Sequence, residues 1–188
     1  LGPLARVALQ PVLNYLRLWD RLAADRVDHF VAISNEIQHR IYKYYRRDST
    51  VIYPPVETER FEPASSYDDY YLSVGRLVPY KQVDLAVQAC TQLGLPLKVA
   101  GKGRDLARLE AMAGPTVEFL GYVPDDDLGE LMARCKAFLF PGAEDFGIAP
   151  IQAMAAGRPV ITQETGFSDS LPTGKGLFAF EDADDVLG

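Results

Sequence analysis

The sequence predicts an α/β fold: a Rossmann-like parallel sheet with helices on both faces, preceded by the end of another domain. Three observations carry that prediction. From Tyr70 onward, short apolar runs alternate with helical patterns, the grammar of βαβ units and a mostly parallel sheet. Gly or Pro stands at nearly every strand exit (Gly75, Gly101, Gly121, Pro141). The composition is globular, with 48% hydrophobic and 24% charged residues in a chain of 188, long enough to bury a sizeable core.

Taken in order, residues 1–28 read as an amphipathic helix. Leu13, Leu16, Trp19, Leu22 and Ala23 recur at helical spacing, with Arg17, Arg21 and Arg26 between them. His29–Ser34 has a buried-strand pattern, and Ser34 or Asn35 caps a helix over Glu36–Arg46. Thr50–Tyr53 is a further strand, ended by Pro54-Pro55. Residues 1–56 are assigned to the end of an amino-terminal domain and the polar stretch 57–69 to a linker. Residues 70–188 form the Rossmann-like domain. Its strands are expected at Tyr71–Val74, Leu97–Ala100, Val117–Leu120, Ala137–Phe140, Val160–Thr162 and Leu177–Phe180. Its helices are expected at Gln82–Leu93, Asp105–Ala113, Asp126–Cys135 and Ile148–Ala156. The chain starts at Leu1 and stops within Asp182–Gly188 as another helix begins, so it is read as a fragment truncated at its carboxyl end.

A net charge of −7 argues against nucleic acid as a partner, although a few focused cations can still hold an anion. Cys90 and Cys135 lie in apolar patterns without CxxC spacing, which reads as buried reduced thiols in a reducing compartment. No apolar run approaches the ~18 residues of a membrane span, and no secretory leader is recognised.

Chemistry is sought at the strand exits, because ligands of such sheets bind at the carboxyl ends of the strands. Arg76 and Lys81 leave the first strand five residues apart. They can converge on one anion, the fork of Arg beside the point charge of Lys, or they can be ordinary surface cations. Gly101-Lys102-Gly103 follows the next strand, and its glycines permit a tight turn. Leu106 breaks the GxGxxG pattern, which argues against a dinucleotide site. Asp125-Asp126-Asp127 reads as a helix start favoured by the dipole and by capping rather than as a metal cluster. His29 and His39 stand apart, His29 reads as structural, and no metal-ligand spacing is found.

The segment Glu144–Pro159 is the richest. A carboxylate precedes the turn Phe146-Gly147-Ile148, a small-residue helix follows, and Gly157-Arg158-Pro159 ends it. Amides at Gly147–Ala149 would form an anion site at the helix start. Pro150 costs nothing in a first turn, where its missing N–H has no partner. The competing reading is a tightly packed helix with an incidental Glu.

At these residues the chain resembles family 4 glycosyltransferases of the GT-B fold. The resemblance runs through VAIS-NE, VIYPPVETERF, LSVGRLVPYKQVDLAV, VAGKGRDLARLE, VEFLGYVPDDDL and FLFPGAEDFGIAPIQAMAAGRPVI. It implies the carboxyl-terminal, donor-binding domain of a retaining glycosyltransferase. Gly75, Gly101 and Gly103 then belong to loops of the donor site. Arg76 and Lys81 match the pair that holds the donor diphosphate, and Glu144 matches the first acid of the E-x7-E motif, near the transferred sugar. Phe146, Gly147 and Ile148 match the loop that contacts sugar and phosphate, and Tyr122 and Val123 match the segment lining the base. The second acid, which binds ribose hydroxyls, is replaced by Gln152, which lacks a charge-assisted bond.

The phrases IYPPVETERF and EDFGIAP are similar to bacterial mannosyltransferases of polysaccharide or lipopolysaccharide assembly, which favours GDP-mannose over a UDP-sugar as donor and implies no cofactor or metal. The implied acceptor is a glycan or lipid-linked sugar, held by the missing amino-terminal domain. That domain would also make any peripheral contact with the inner face of the cytoplasmic membrane, and a cytoplasmic location is expected. The alternatives are a non-catalytic nucleotide-binding module, a sugar-nucleotide epimerase of the same fold, which lacks an EDFGI loop, and a phosphorylase, which would need a pyridoxal-phosphate lysine.

Overall fold

A computed structural model of the chain describes residues 3–163 and 177–180. The helix expected to begin within Asp182–Gly188 lies outside the described residues. The chain divides into two compact units, Leu1–Tyr53 and Pro54–Gly188.

The first unit contains α1 (Pro3–Ala24), β1 (Phe30–Ala32), α2 (Asn35–Tyr45) and β2 (Ser49–Val51), with β1 and β2 paired in parallel. Ser34 is the cap of α2: its backbone is extended and its Oγ accepts from the Ile37 N–H at 3.2 Å. Arg46 in the left-handed region ends the helix by donating its N–H to the Tyr42 carbonyl. His29 bonds Thr50 Oγ1 through Nε2 at 3.0 Å across the two strands.

The second unit is built on a six-stranded sheet. Its elements are β3 (Tyr71–Val74), α3 (Val83–Leu93), β4 (Leu97–Ala100), α4 (Leu106–Met112), β5 (Val117–Gly121), α5 (Asp125–Arg134), β6 (Phe138–Phe140), α6 (Ile148–Ala155), β7 (Val160–Gln163) and β8 (Leu177–Phe180). The strand order is β5-β4-β3-β6-β7-β8, and every pairing is parallel. The chain therefore starts in the middle at β3, winds outward to β5, returns to β6 and winds the other way. Between β3 and β6 the order reverses, the topological switch point of a doubly wound sheet.

Alternation along the strands builds two cores. Phe138 and Phe140 face one side with Leu72 and Val160, where α5 and α6 supply Met132, Ala133 and Ala153, and Ala156 caps the end of α6. Leu139 faces the other side with Leu97 and Val99, where α3 and α4 supply Val83, Ala86, Val87, Cys90 and Leu109. Each fully buried Leu, Val or Phe contributes roughly 1.5–3 kcal/mol relative to exposure, so both helix layers are held by burial.

Two features differ from expectation. The stretch 57–69, expected as a linker, packs within the second unit. Phe61 is buried in the first of these cores, Arg60 reaches Asp126 at 3.1 Å, and Asp68 accepts two bonds from the Arg134 guanidinium at 2.7 and 2.9 Å. At the start of α5 the residue in the capping position is Pro124, which forms no side-chain cap. The three aspartates occupy the first turn, where they meet the positive end of the helix dipole without closing a capping bond. Among the described residues, no helix is long and apolar enough to cross a membrane.

Candidate functional site

The loops leaving β3, β4 and β5 are joined backbone to backbone. Gly75 N–H donates to Ala100 O at 3.0 Å, Leu77 N–H to Lys102 O at 3.1 Å and Gly101 N–H to Gly121 O at 2.6 Å. Leu77 O in turn accepts from Asp105 N–H at 3.1 Å, and the Leu77 side chain is buried. This closeness explains the Gly101-Lys102-Gly103 motif more fully than a tight turn does. A Cβ on Gly101 would run into the Gly75 carbonyl oxygen, and one on Gly103 into that of Leu77. The loop after β3 then closes in a 3-10 turn, Pro79–Lys81, with Gln82 in the left-handed region before α3.

Across the switch point lies the loop after β6. Pro141 and Gly142 are buried, and a Cβ on Gly142 would stand 2.5 Å from Lys81 O and 2.7 Å from its C and Cα. Only a glycine lets this loop lie against the backbone that carries Lys81. Two residues further on, Glu144 forms an ion pair with the Lys81 ammonium. The Lys81 ammonium also sits 5.4 Å from the Tyr80 ring centroid and 5.5 Å from that of Phe140, within cation–π range. Burial pushes the Lys81 ammonium below its ordinary value, repulsion from Arg76 acts the same way, and Asp145 opposes both. Arg76 itself is exposed.

Helix α6 starts from this loop. Gly147 is its N-cap with φ 79°, and no side chain caps it. The first-turn amides of Ile148 and Ala149 therefore have no helical acceptor, and Pro150 has no N–H to leave unpaired. Phe146 is buried and Ile148 is exposed. Ala153 and Ala156 are fully buried, which lets the helix approach the sheet closely. Gln152 lies one turn into α6 and is half-buried.

The structure thus brings together Arg76, Lys81, Glu144 and the start of α6 at the switch point. Tyr122 and Val123 follow β5, two strand spacings from β3, or about 10 Å. Tyr122 is exposed, with the Lys102 ammonium 5.9 Å from its ring centroid. Sequence reasoning missed Gly142, Tyr80, Phe140 and Asp145 as site residues. Gly142 had one local signal, a glycine after proline at a strand exit; the other three had none. The acidic run at the start of α5 is exposed, and Asp126 pairs with Arg60. Cys90 and Cys135 are free and buried, and burial pushes their thiols up to about 11 and about 12.

A doubly wound parallel sheet with cations, a carboxylate and an uncapped helix start at its switch point defines the chain as an α/β module of the doubly wound class. Residues 55–173, more than half of the chain, match the family described as Glycosyl transferases group 1, and the chain belongs to that family. It is 26% identical over 180 residues to the O-antigen chain mannosyltransferase RfbU of Salmonella typhimurium, covering 89% of this chain and 51% of the relative. It is 30% identical over 160 residues to a GDP-mannose-dependent alpha-mannosyltransferase of Mycolicibacterium smegmatis, covering 79% of this chain and 42% of the relative. Among solved structures, Anabaena HepE in complex with UDP-glucose superposes with a TM-score of 0.77 at 19% identity, over 91% of this chain and 55% of that one. That likeness shows the fold, the GT-B fold of glycosyltransferases. The chain spans about half the length of the curated relatives it matches.

Proposed function

We propose that this chain is the donor-binding half of a retaining mannosyltransferase of bacterial polysaccharide assembly, with GDP-mannose as its donor. The observation that carries the reading is the meeting of Arg76, Lys81, Glu144 and the start of α6 at the switch point. Arg76 and Lys81 take the diphosphate, assisted by the amides at the start of α6, and Glu144 serves the transferred sugar. Tyr122 and Val123 line the base, and Gln152 meets the ribose with neutral hydrogen bonds. GDP-mannose is favoured because relatives across most of this chain bear mannosyltransferase names, one of them GDP-mannose-dependent.

In this reading the leaving diphosphate is neutralised by protein cations and the helix end, without metal or cofactor. Each charged hydrogen bond contributes about 1.5–3 kcal/mol and a helix end about 0.3–2 kcal/mol, which corresponds to micromolar to millimolar nucleotide affinity. The acceptor, a glycan or lipid-linked sugar, is held by the amino-terminal domain, of which the first unit is the end. Any peripheral membrane contact belongs to that domain as well, and the buried free thiols fit a cytoplasmic location. A thermal-shift panel of GDP-, UDP-, ADP- and dTDP-sugars tests the reading. Stabilisation by GDP-mannose above the others supports it, preference for another base refutes the donor assignment, and no response to any refutes donor binding. The isolated chain is expected to bind donor and to transfer little or no sugar; robust turnover would overturn the half-enzyme reading.

A further inference from the structure

Lys81 and Glu144 come from the two loops that flank the switch point, and in this structure they bond each other. The pair is sheltered: the Lys81 side chain is 17% exposed and that of Glu144 30%. The Tyr80 and Phe140 rings lie near the ammonium, and the close fit of Gly142 against the Lys81 backbone keeps the two loops in register. The carboxylate thus occupies a donor position of the ammonium that a phosphate oxygen would need. An ammonium has three donors and could in principle serve both. Sharing, however, would leave two anions side by side on one half-buried cation, and like charges at such range disfavour each other.

Resting on the reading that Arg76 and Lys81 hold the donor diphosphate, we propose that Glu144 is an internal competitor for that site. A nucleoside diphosphate binds by taking Lys81 from Glu144, and the carboxylate so released becomes available to the sugar. The exchange replaces one ammonium–carboxylate contact with one ammonium–phosphate contact and makes or breaks no covalent bond. It couples two events: Glu144 is freed only when an anion has arrived.

The test is calorimetric titration of inorganic pyrophosphate and of GDP into the wild-type chain, Glu144→Gln, Lys81→Met and the double variant. Pyrophosphate is included because it does not depend on the base. Glu144→Gln is expected to bind about fivefold more tightly than wild type, the worth of a partly exposed ion pair. In the Lys81→Met background the same substitution is expected to change affinity less than twofold. A gain that persists without Lys81 would mean that Glu144 only repels the ligand through space, and would overturn the proposal. Equal or weaker binding by Glu144→Gln would overturn it too. Unaltered binding by Lys81→Met would instead overturn the assignment of Lys81 to the diphosphate. A ligand-free measurement stands apart from nucleotide binding: the Lys81 Nζ resonance should move on Glu144→Gln. If it stays in place, the pair does not exist in solution and the proposal falls whatever the titrations show.

Discussion

Gly142→Ala is the sharpest perturbation of the site, because its effect is set by a backbone contact that no side-chain rotation relieves. The added methyl would stand 2.5 Å from the Lys81 carbonyl oxygen and 2.7 Å from its Cα, whereas ordinary contact begins near 3.4 Å. The backbone carrying Lys81 must retreat by about 0.9 Å, or the loop after β6 must yield by the same amount. Overpacking of this kind costs about 1–3 kcal/mol, which for a domain of this size lowers the melting temperature by about 3–10 °C. The displaced ammonium should lose at least one charged hydrogen bond to the ligand, about 1.5 kcal/mol or roughly tenfold in nucleotide affinity. Differential scanning fluorimetry and calorimetric titration with GDP read the two effects. Gly94→Ala is the control: Gly94 ends α3 at φ 65° with nothing within 4 Å of a Cβ. It should lose about 1 kcal/mol of stability by backbone strain and bind nucleotide as wild type does. If Gly142→Ala melts and binds like wild type, or weakens binding no more than Gly94→Ala, the two loops are not held by this contact.

Arg76→Ala is expected to weaken GDP binding by about 1.5–3 kcal/mol, read by titration; unchanged affinity would place the anion elsewhere. Gln152→Glu restores a charged acceptor for ribose hydroxyls and should tighten GDP about fivefold, since charge-assisted bonds are roughly twice as strong as neutral ones; an unaffected constant would remove Gln152 from the ribose site. At pH 8, with thiols raised to about 11 and about 12, Cys90 and Cys135 should resist a disulfide reagent in the native chain and react in urea. Hydrogen bonds from the Arg134 guanidinium hold the Asp68 carboxyl below its ordinary range. A depressed carboxyl stabilises the fold above its unfolded value, and the benefit is lost as pH falls through the folded one. Asp68→Asn should therefore melt earlier than wild type at pH 7, with the gap closing on acidification; a gap independent of pH would refute the linkage.

The sheet was legible because its strands are short apolar runs, four of them with a glycine or proline at the exit. Tyr71–Val74, Leu97–Ala100 and Leu177–Phe180 fall residue for residue where the apolar runs placed them. The stretch 57–69 misled because its polar composition resembles a linker. A single buried side chain, Phe61, and ion pairs to residues 66 positions away anchor it, and neither leaves a periodic trace. The start of α5 misled in a smaller way: aspartates after proline suit a cap, yet a residue one position inside the helix cannot take the capping geometry.

The site was half legible for a similar reason. Arg76, Lys81, Glu144 and Gly147 stand out locally, as cations on a strand exit and a carboxylate before a helix start. What makes them one site is the adjacency of β3 and β6, which lie at opposite ends of three crossovers in the chain and side by side in the sheet. No periodicity encodes that adjacency; it follows only from the reversal of strand order. The close fit of Gly142 on Lys81 and the aromatic pair around the ammonium depend on it in turn, so they are invisible until the sheet is assembled. The same dependence argues that the site is no accident of a generic sheet. At the β4 and β5 exits, Gly101 and Gly103 serve hydrogen-bonded neighbouring loops, whereas at the switch point the glycine backs a cation already paired with a carboxylate. A loop held this closely around a sheltered ion pair would limit the ways in which an incoming anion could be met at Lys81.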